Sequence, residues 1–411
     1  MADFEKAIEE AITNGDIPGC VLVATNRDGS FTYNKAFGHS TLNPSKRQTP
    51  LALNSIMWTA SCTKLQTSIC LAQLVERGLL TYDAPIYTHI PELADFPILT
   101  GFREDGTPIT TPHTKPITLR TLLHHTSGLV YHILSPLTAK WMAQAPRPPA
   151  GSTVLDRYVA PMIFEPGEGW MYAPGIDFAG LLLERITGMT LEEYMRENLW
   201  TPLGITDMTF FPSTRPDLRE RMADISFRQE DGKVGFREGG EMYYGDAKER
   251  IVCMGGDGIF TSAPSYLKIL HALLTTTTDS PTTATILKPE TIQEFFRPQL
   301  NPTSREALEL VLQDEWMNNA MGGTARGVGK DWGLGGLLIT GDAPDGKKKG
   351  TMCWGGLPNL TWWADRETGV CGLWAAQLLP TGDGKVAALA RGFERGIYEL
   401  LGEGKKEGSR L

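Results

Sequence analysis

Apolar positions along the chain follow a helical period, then an alternating one, then a helical one again. Residues 2–14 place Phe4, Ala7, Ile8 and Ile12 on one face of a predicted helix, which Ile17-Pro-Gly19 closes. Val21–Ala24 and Phe31–Phe37 read as two strands joined through Asp28-Gly29, a hairpin turn signal. Leu65, Ile69, Ala72 and Val75 then form a stripe of helical period in a helix predicted from about Ser61 to Arg77, with Gly78 as its C-terminal cap.

After the loop-rich stretch Leu79–Pro91 the pattern changes to short helices broken by Pro and Gly, and it holds to about residue 250. Thr118–Gly128, Asp177–Ile186 (with Phe178, Leu181, Leu182 and Ile186 inward, ended by Gly188) and Leu191–Leu199 are its predicted helices, and proline-rich Ala145–Gly151 is a linker or lid-like loop. Strand signals return in Met352–Gly356, Asn359–Ala364 and Val370–Gln377, which read as successive antiparallel strands, and a helix over about Lys385–Leu400 follows. The expected organisation is sheet, helical insert, sheet. Residues 1–83 and 251–411 form one discontinuous α/β (α+β) unit and 84–250 a mostly helical one, with the terminal helices covering one sheet face.

Composition narrows the partners more than the fold. The 411 residues carry a formal net charge of −9, which argues against nucleic acid as a general partner. No apolar run approaches the length of a membrane span, and the N-terminal segment is charged and helical rather than signal-like, so a cytoplasmic protein is expected. The final Ser409-Arg410-Leu411 nearly matches a peroxisomal address. The six cysteines are scattered, mostly in apolar runs, and read as buried free thiols.

The candidate chemistry starts at Ser61-Cys-Thr-Lys64. Three residues apart on a helix, the two side chains share a face and can meet. A serine in the first turn keeps an amide free to face an oxyanion, and a desolvated lysine one turn on can take the serine's proton. Ser-x-x-Lys is a weak pattern alone, since Ser265-Tyr-Leu-Lys268 also starts a predicted helix. Tyr172, in a turn before a helix, offers a phenol for general base or acid work, against the plainer reading of a packed aromatic. Met352-Cys-Trp354-Gly355-Gly356-Leu357 puts two glycines inside a strand, which suggests that something approaches its backbone closely; the plainer reading is a bulge. The amide of Leu357, facing that of Ser61, would complete a two-donor oxyanion hole.

The order Ser61-x-x-Lys64, Tyr172, Trp354-Gly-Gly356 resembles the class C β-lactamases and the related family VIII carboxylesterases. Leu122–Leu129, Pro202–Met208 and Gly255–Ser262 are similar to that family's intervening segments, and the likeness runs from about Ile17 to Tyr398. Its closest form looks like the fungal lovastatin-type acyltransferases of polyketide biosynthesis. The resemblance implies a β-lactamase/penicillin-binding-protein-like fold, a central antiparallel sheet flanked by helices. It implies a cofactor-free, metal-free serine enzyme in which Ser61 is the nucleophile, Lys64 its base and Tyr172 the proton relay. The amides of Ser61 and Leu357 would hold the oxyanion, and Trp354, Gly355 and Gly356 would line the substrate. Gly255–Gly258 and Ser265 would then fall in a structural connection.

Two departures narrow the substrate. Tyr172 is followed by Ala173-Pro174 and lacks the asparagine of the β-lactamase Tyr-x-Asn motif, which disfavours peptide-like substrates. Trp354 stands where the β-lactamases have the lysine of Lys-Thr-Gly, so an apolar wall replaces a carboxylate partner and neutral acyl groups are favoured. The expected reaction moves an acyl group from a thioester or ester donor to the hydroxyl of a small-molecule, polyketide-type acceptor; the alternatives are an esterase using the same residues and a non-catalytic scaffold.

The remaining motifs have plain readings. His113, His124, His125 and His132 lack a metal-ligand spacing. His124 and Ser127 make no triad, because no Gly-x-Ser-x-Gly elbow is present. Cys62 has no identifiable imidazole partner. Trp362 and Trp363 face opposite sides of a strand, so at most one lines the pocket. Lys347-Lys-Lys349 is a solvated turn tip, or a docking point for an acidic acyl carrier protein.

Overall fold

A computed structural model describes residues 2–144, 153–158, 160–239, 252–276 and 286–408. The expected loop at Ala145–Gly151 and the terminal Ser409-Arg410-Leu411 lie outside the described residues. The main sheet is built from β1 (Gly19–Asn26), β2 (Thr32–Gly38), β3 (Lys330–Trp332), β4 (Leu337–Ile339), β5 (Met352–Gly356), β6 (Leu360–Asp365) and β7 (Val370–Ala375). Its antiparallel order is β3-β4-β5-β6-β7-β1-β2, so the first hairpin of the chain is annexed to a meander made by its last third. The join is β1 against β7, with Val21 opposite Ala375 and Asn26 opposite Val370. β5, β6 and β7 are buried along their whole length, as continuous apolar runs require when both sheet faces are covered.

The helices that position the site are α1 (Asp3–Thr13), α2 (Thr63–Glu76), α3 (Leu119–Leu123), α4 (Gly175–Thr187), α5 (Ala263–Thr275), α6 (Glu315–Ala320) and α7 (Gly384–Gly408). As expected, the terminal helices cover the sheet together: Phe4 of α1 and Trp363 of β6 both meet the ring of Phe393 on α7, at 5.7 and 5.6 Å. The buried stripe of α1 is Phe4, Ile8 and Ala11 rather than one that includes Ala7. Glu5 is buried as well, because it accepts hydrogen bonds from Tyr33 Oη (2.7 Å) and Lys35 Nζ (2.6 Å). α5 packs across β7, β1 and β6.

α2 departs most from its expected character. Every residue from Thr63 to Leu74 is buried, so the helix has no solvent face. Two of its polar side chains are placed by partners: Thr67 Oγ1 donates to the Gly255 carbonyl (2.7 Å), and Gln66 accepts from the Trp200 indole (2.7 Å). Gly78, at φ +71°, ends it as expected. The predicted helix over Thr118–Gly128 shortens to α3. Thr118 and Thr121 form a capping box at its start, and His125 at φ +61° turns the backbone out of the helix. Leu191–Leu199 is an α-helix over Leu191–Met195 that widens into a π turn over Arg196–Trp200.

Residues 84–250 also contain strands that the helical pattern did not show. Ile98–Phe102 and Pro108–Thr111 form a hairpin. Met208–Thr209 pairs with Phe260–Ser262, and Ser226–Arg228 with Leu378–Leu379, tying this part of the chain to the segments after residue 250. Among the described residues no helix is long and apolar enough to cross a membrane.

The lysine-rich turn is a solvated tip only in part: Lys349 is exposed, but Lys347 is not. It folds back onto α7, so closely that a Cβ on Gly346 would lie 2.6 Å from the Tyr398 ring, and Lys347 is buried. Its ammonium is hydrogen-bonded to Glu394 on α7 and lies 3.1 Å from Asp345, while Lys348 pairs with Asp342 at 2.8 Å. Removing one member of a buried ion pair strands the other charge in a low-dielectric interior. Glu394→Ala is therefore expected to lower unfolding free energy by about 3–5 kcal/mol in urea titration, whereas Lys348→Ala changes it by less than about 1 kcal/mol.

Candidate active site

The short strand Ile56–Trp58 leads into a 3-10 turn over Ala60–Cys62 that runs directly into α2. Ala60 adopts φ +44°, a conformation unfavourable for a residue with a Cβ, and it does so one residue before Ser61. The turn leaves Ser61 partly exposed while Lys64 is only 2 % exposed. Lys64 Nζ lies 3.3 Å from Ser61 Oγ, and the Tyr172 hydroxyl donates to the same oxygen at 2.6 Å. Tyr172, joined to the Ser61–Lys64 pair in sequence only by motif order, thus meets both at one atom.

Lys64 has two further acceptors, Tyr131 Oη at 3.2 Å and the Gly256 carbonyl at 2.8 Å. An ammonium has three N–H donors, so these contacts use all of them. Its Nζ also lies 4.8 Å from the Tyr172 ring centroid and 5.5 Å from that of Tyr131, within range of cation–π attraction. Burial, with Asp177 beside it, pushes the Tyr131 hydroxyl well above the usual phenol range, so it stays protonated and donates to Asp177. Sequence reasoning missed Tyr131 and Asp177 as site residues, and it assigned Gly255–Gly258 to a plain connection. No local pattern marks a tyrosine after a helix stop as a partner of a distant amine, or a carboxylate inside a helix as the support of that amine's partners.

Tyr172 is held by rings. His125 meets it at 4.9 Å, Tyr131 at 5.2 Å and Trp354 at 5.2 Å, all tilted or edge-on; Trp332 touches both His125 and Trp354. Burial first, and the nearby Lys64 charge second, push the His125 imidazole well below its ordinary range, so it is neutral. Its Nδ1 accepts from the Ala173 amide at 3.3 Å. The histidines do not converge: His113 is half-buried and bonded to backbone carbonyls, and His124 bonds Thr126.

The two strand glycines have separate reasons. A Cβ on Gly356 would lie 2.5 Å from the Thr59 carbonyl oxygen and 3.1 Å from Cys62 Sγ, so the end of β5 is pressed against the turn that carries Ser61. A Cβ on Gly355 would lie 2.5 Å from the Ala320 carbonyl of α6. Leu357, next in the chain, lines the same cavity as Ser61. That cavity holds about 320 Å³, and its walls are mainly apolar, with Trp58, Trp316, Met317, Met321 and Trp354 among them. Neither Trp362 nor Trp363 reaches it.

The second Ser-x-x-Lys copy is engaged elsewhere. Ser265 Oγ bonds Asp207, and Lys268 Nζ donates to the Gly204 carbonyl at 2.8 Å. All six cysteines are buried. Burial pushes the Cys62 thiol far above its ordinary range, which keeps it protonated beside the serine.

Comparison with known proteins agrees with this geometry. The family model described as Beta-lactamase matches residues 4–394. The chain is 38% identical to the lovastatin esterase of Penicillium rubens, over 96% of this chain and 98% of that protein. It is 35% identical to the monacolin J acid methylbutanoyltransferase of Aspergillus terreus, over 98% and 96% respectively. A solved structure of a simvastatin synthase mutant from Aspergillus terreus superposes with a TM-score of 0.89 at 36% identity, covering 97% of this chain and 95% of that one.

Since the Gly356 Cα abuts the Ser61 turn, Gly356→Ala must displace one or the other. An offset of about 1 Å at a reacting centre costs on the order of 100-fold. Gly356→Ala is expected to lower kcat/KM for a p-nitrophenyl ester by about that factor, while Ser265→Ala stays within about twofold of the parent.

Proposed function

The chain belongs to the β-lactamase family, within its serine acyltransferases and esterases, and on that premise we propose that it is a transferase whose acyl-enzyme forms on Ser61. The acyl group comes from a thioester or ester, and its acceptor is the hydroxyl of a polyketide-type natural product. The observation that carries this reading is the meeting of Lys64 Nζ and Tyr172 Oη at Ser61 Oγ, on the wall of an apolar cavity. Ser61 attacks the donor carbonyl as its proton passes to the Lys64–Tyr172 pair, which in the reactive state holds one proton fewer than at rest. The carbonyl oxygen takes the electron pair and is held by the amides of Ser61 and Leu357. Collapse expels the thiol or alcohol, which leaves with a proton from Tyr172. The acceptor hydroxyl then attacks the acyl-enzyme by the reverse path and releases the ester.

Trp354, Gly355 and Gly356 line the acyl group in this scheme. The wall with Trp58, Met317 and Met321 suits a neutral, apolar substrate rather than a carboxylate-bearing β-lactam. We assign residues 1–83 and 251–411 to one unit and 84–250 to the other, with the reaction at their seam: Ser61 and Trp354 come from the first, Tyr131 and Tyr172 from the second. The acyl donor is a small thioester or ester in this reading. A carrier protein would have to dock without Lys347, which is buried. The second reading, hydrolysis of a natural-product ester by the same residues, is favoured by the 38% identity to lovastatin esterase.

Incubating the protein with a short acyl thioester and a panel of polyketide-type alcohols, followed by mass spectrometry, tests the proposal. A new ester and an acyl adduct on the Ser61 peptide are expected. Hydrolysis alone across the panel would favour the esterase reading, and an adduct on another residue would overturn the site. Loss of a positioned acid–base group costs roughly 10²–10⁴-fold, so Tyr172→Phe is expected to lose that much kcat while still binding substrate.

A further inference from the structure

A carboxylate lies one layer below Lys64. Asp177, in the first turn of α4, is fully buried. Its Oδ1 accepts the Gly256 amide N–H at 2.9 Å and its Oδ2 accepts the Tyr131 hydroxyl at 3.4 Å. These are the two residues that accept from Lys64 besides Ser61, through the Gly256 carbonyl and Tyr131 Oη. One carboxylate therefore fixes both groups that aim the amine at the serine.

The sequence carries a separate trace of this arrangement. A Cβ on Gly256 would lie 2.4 Å from Asp177 Oδ2, and one on Gly255 would lie 2.8 Å from the Ile176 carbonyl, so the backbone of this segment closes directly onto the carboxylate. The titratable and charged groups around Asp177 are Lys64 of α2, Tyr131, Tyr172, Arg157 and Tyr158 of the helix Val154–Tyr158, and Asp257. Burial and the Asp257 charge push the Asp177 carboxyl up, while Lys64, the Gly256 amide and Arg157 oppose them.

We propose that Asp177 is a positioning residue: through Gly256 and Tyr131 it holds the Lys64 amine in line with Ser61 Oγ, and so governs acylation and deacylation without touching substrate. This rests on the reading of Lys64 as the base. Asn in its place keeps the shape but turns one acceptor into a donor, so one of the two contacts is lost along with the negative charge.

The test is single-turnover acylation by a p-nitrophenyl ester in Asp177→Asn, with thermal melting as a check on the fold. The acylation rate is expected to fall about 10–100-fold, with burst amplitude and KM within about twofold of the parent. A merely structural role would instead lower burst amplitude or melting temperature in step with the rate. An acylation rate within twofold of the parent overturns the proposal. Should Asp177→Asn not fold, Tyr131→Phe removes one arm alone. A loss of about fivefold or more at full burst amplitude supports the clamp, and an unchanged rate overturns it. Ser61→Ala separates the two readings. If its burst persists, the acyl-enzyme assignment fails and this proposal with it; if its burst is lost while Asp177→Asn and Tyr131→Phe acylate normally, only the positioning role fails.

Discussion

Lys64 sits where three oxygens converge on one nitrogen, and much of the molecule is arranged to keep it there. The amine is nearly inaccessible, so each of its N–H groups needs a protein partner. Each partner arrives on a different part of the chain: Ser61 from the turn before α2, Tyr131 from the segment after α3, Gly256 from the loop before Phe260–Ser262. A buried amine of this kind acts as a registration point, because a shift in any one segment leaves a donor without an acceptor.

Around that point the backbone is held in positions it would not choose alone. Ala60 at φ +44° stores strain immediately before the serine, and the end of β5 presses against Thr59 so closely that only glycine fits at position 356. The sheet thus supplies the abutment that keeps the strained turn from relaxing. The rings of His125, Tyr131 and Trp354 do the same for Tyr172. Placement of the Ser61, Lys64 and Tyr172 side chains is thereby built into the resting protein, before any ligand enters.

How much of this was legible in the sequence follows from how local each signal is. β5, β6 and β7 of the C-terminal meander and the first hairpin were visible because strand-forming apolar runs and turn residues are short-range patterns, whereas the three-residue strands β3 and β4 were too short to be read. Ser61 and Lys64 share a face by helix geometry alone. Tyr172 and the Gly355-Gly356 pair were legible only as partners in a fixed order along the chain. Tyr131, Asp177 and the Gly256 carbonyl were not legible, since their roles arise from contacts across large separations between segments with ordinary local character. The helix over Thr118–Gly128 was overextended because nothing in its sequence announces a left-handed histidine. The lysine-rich turn was misplaced because composition cannot show that a charged loop tip folds back onto a buried glutamate.

The all-round burial of α2 separates what can vary in this protein from what cannot. A helix with no solvent face is constrained all round: a change to Thr63–Leu74 alters packing against another segment, and only swaps that keep volume are tolerated well. The cavity wall is different. Ile133 and Trp316 border it with large apolar side chains still open to water, and neither side chain holds the amine. Divergence in what the enzyme accepts is thus free to accumulate at the rim, while the reaction itself is inherited as a block.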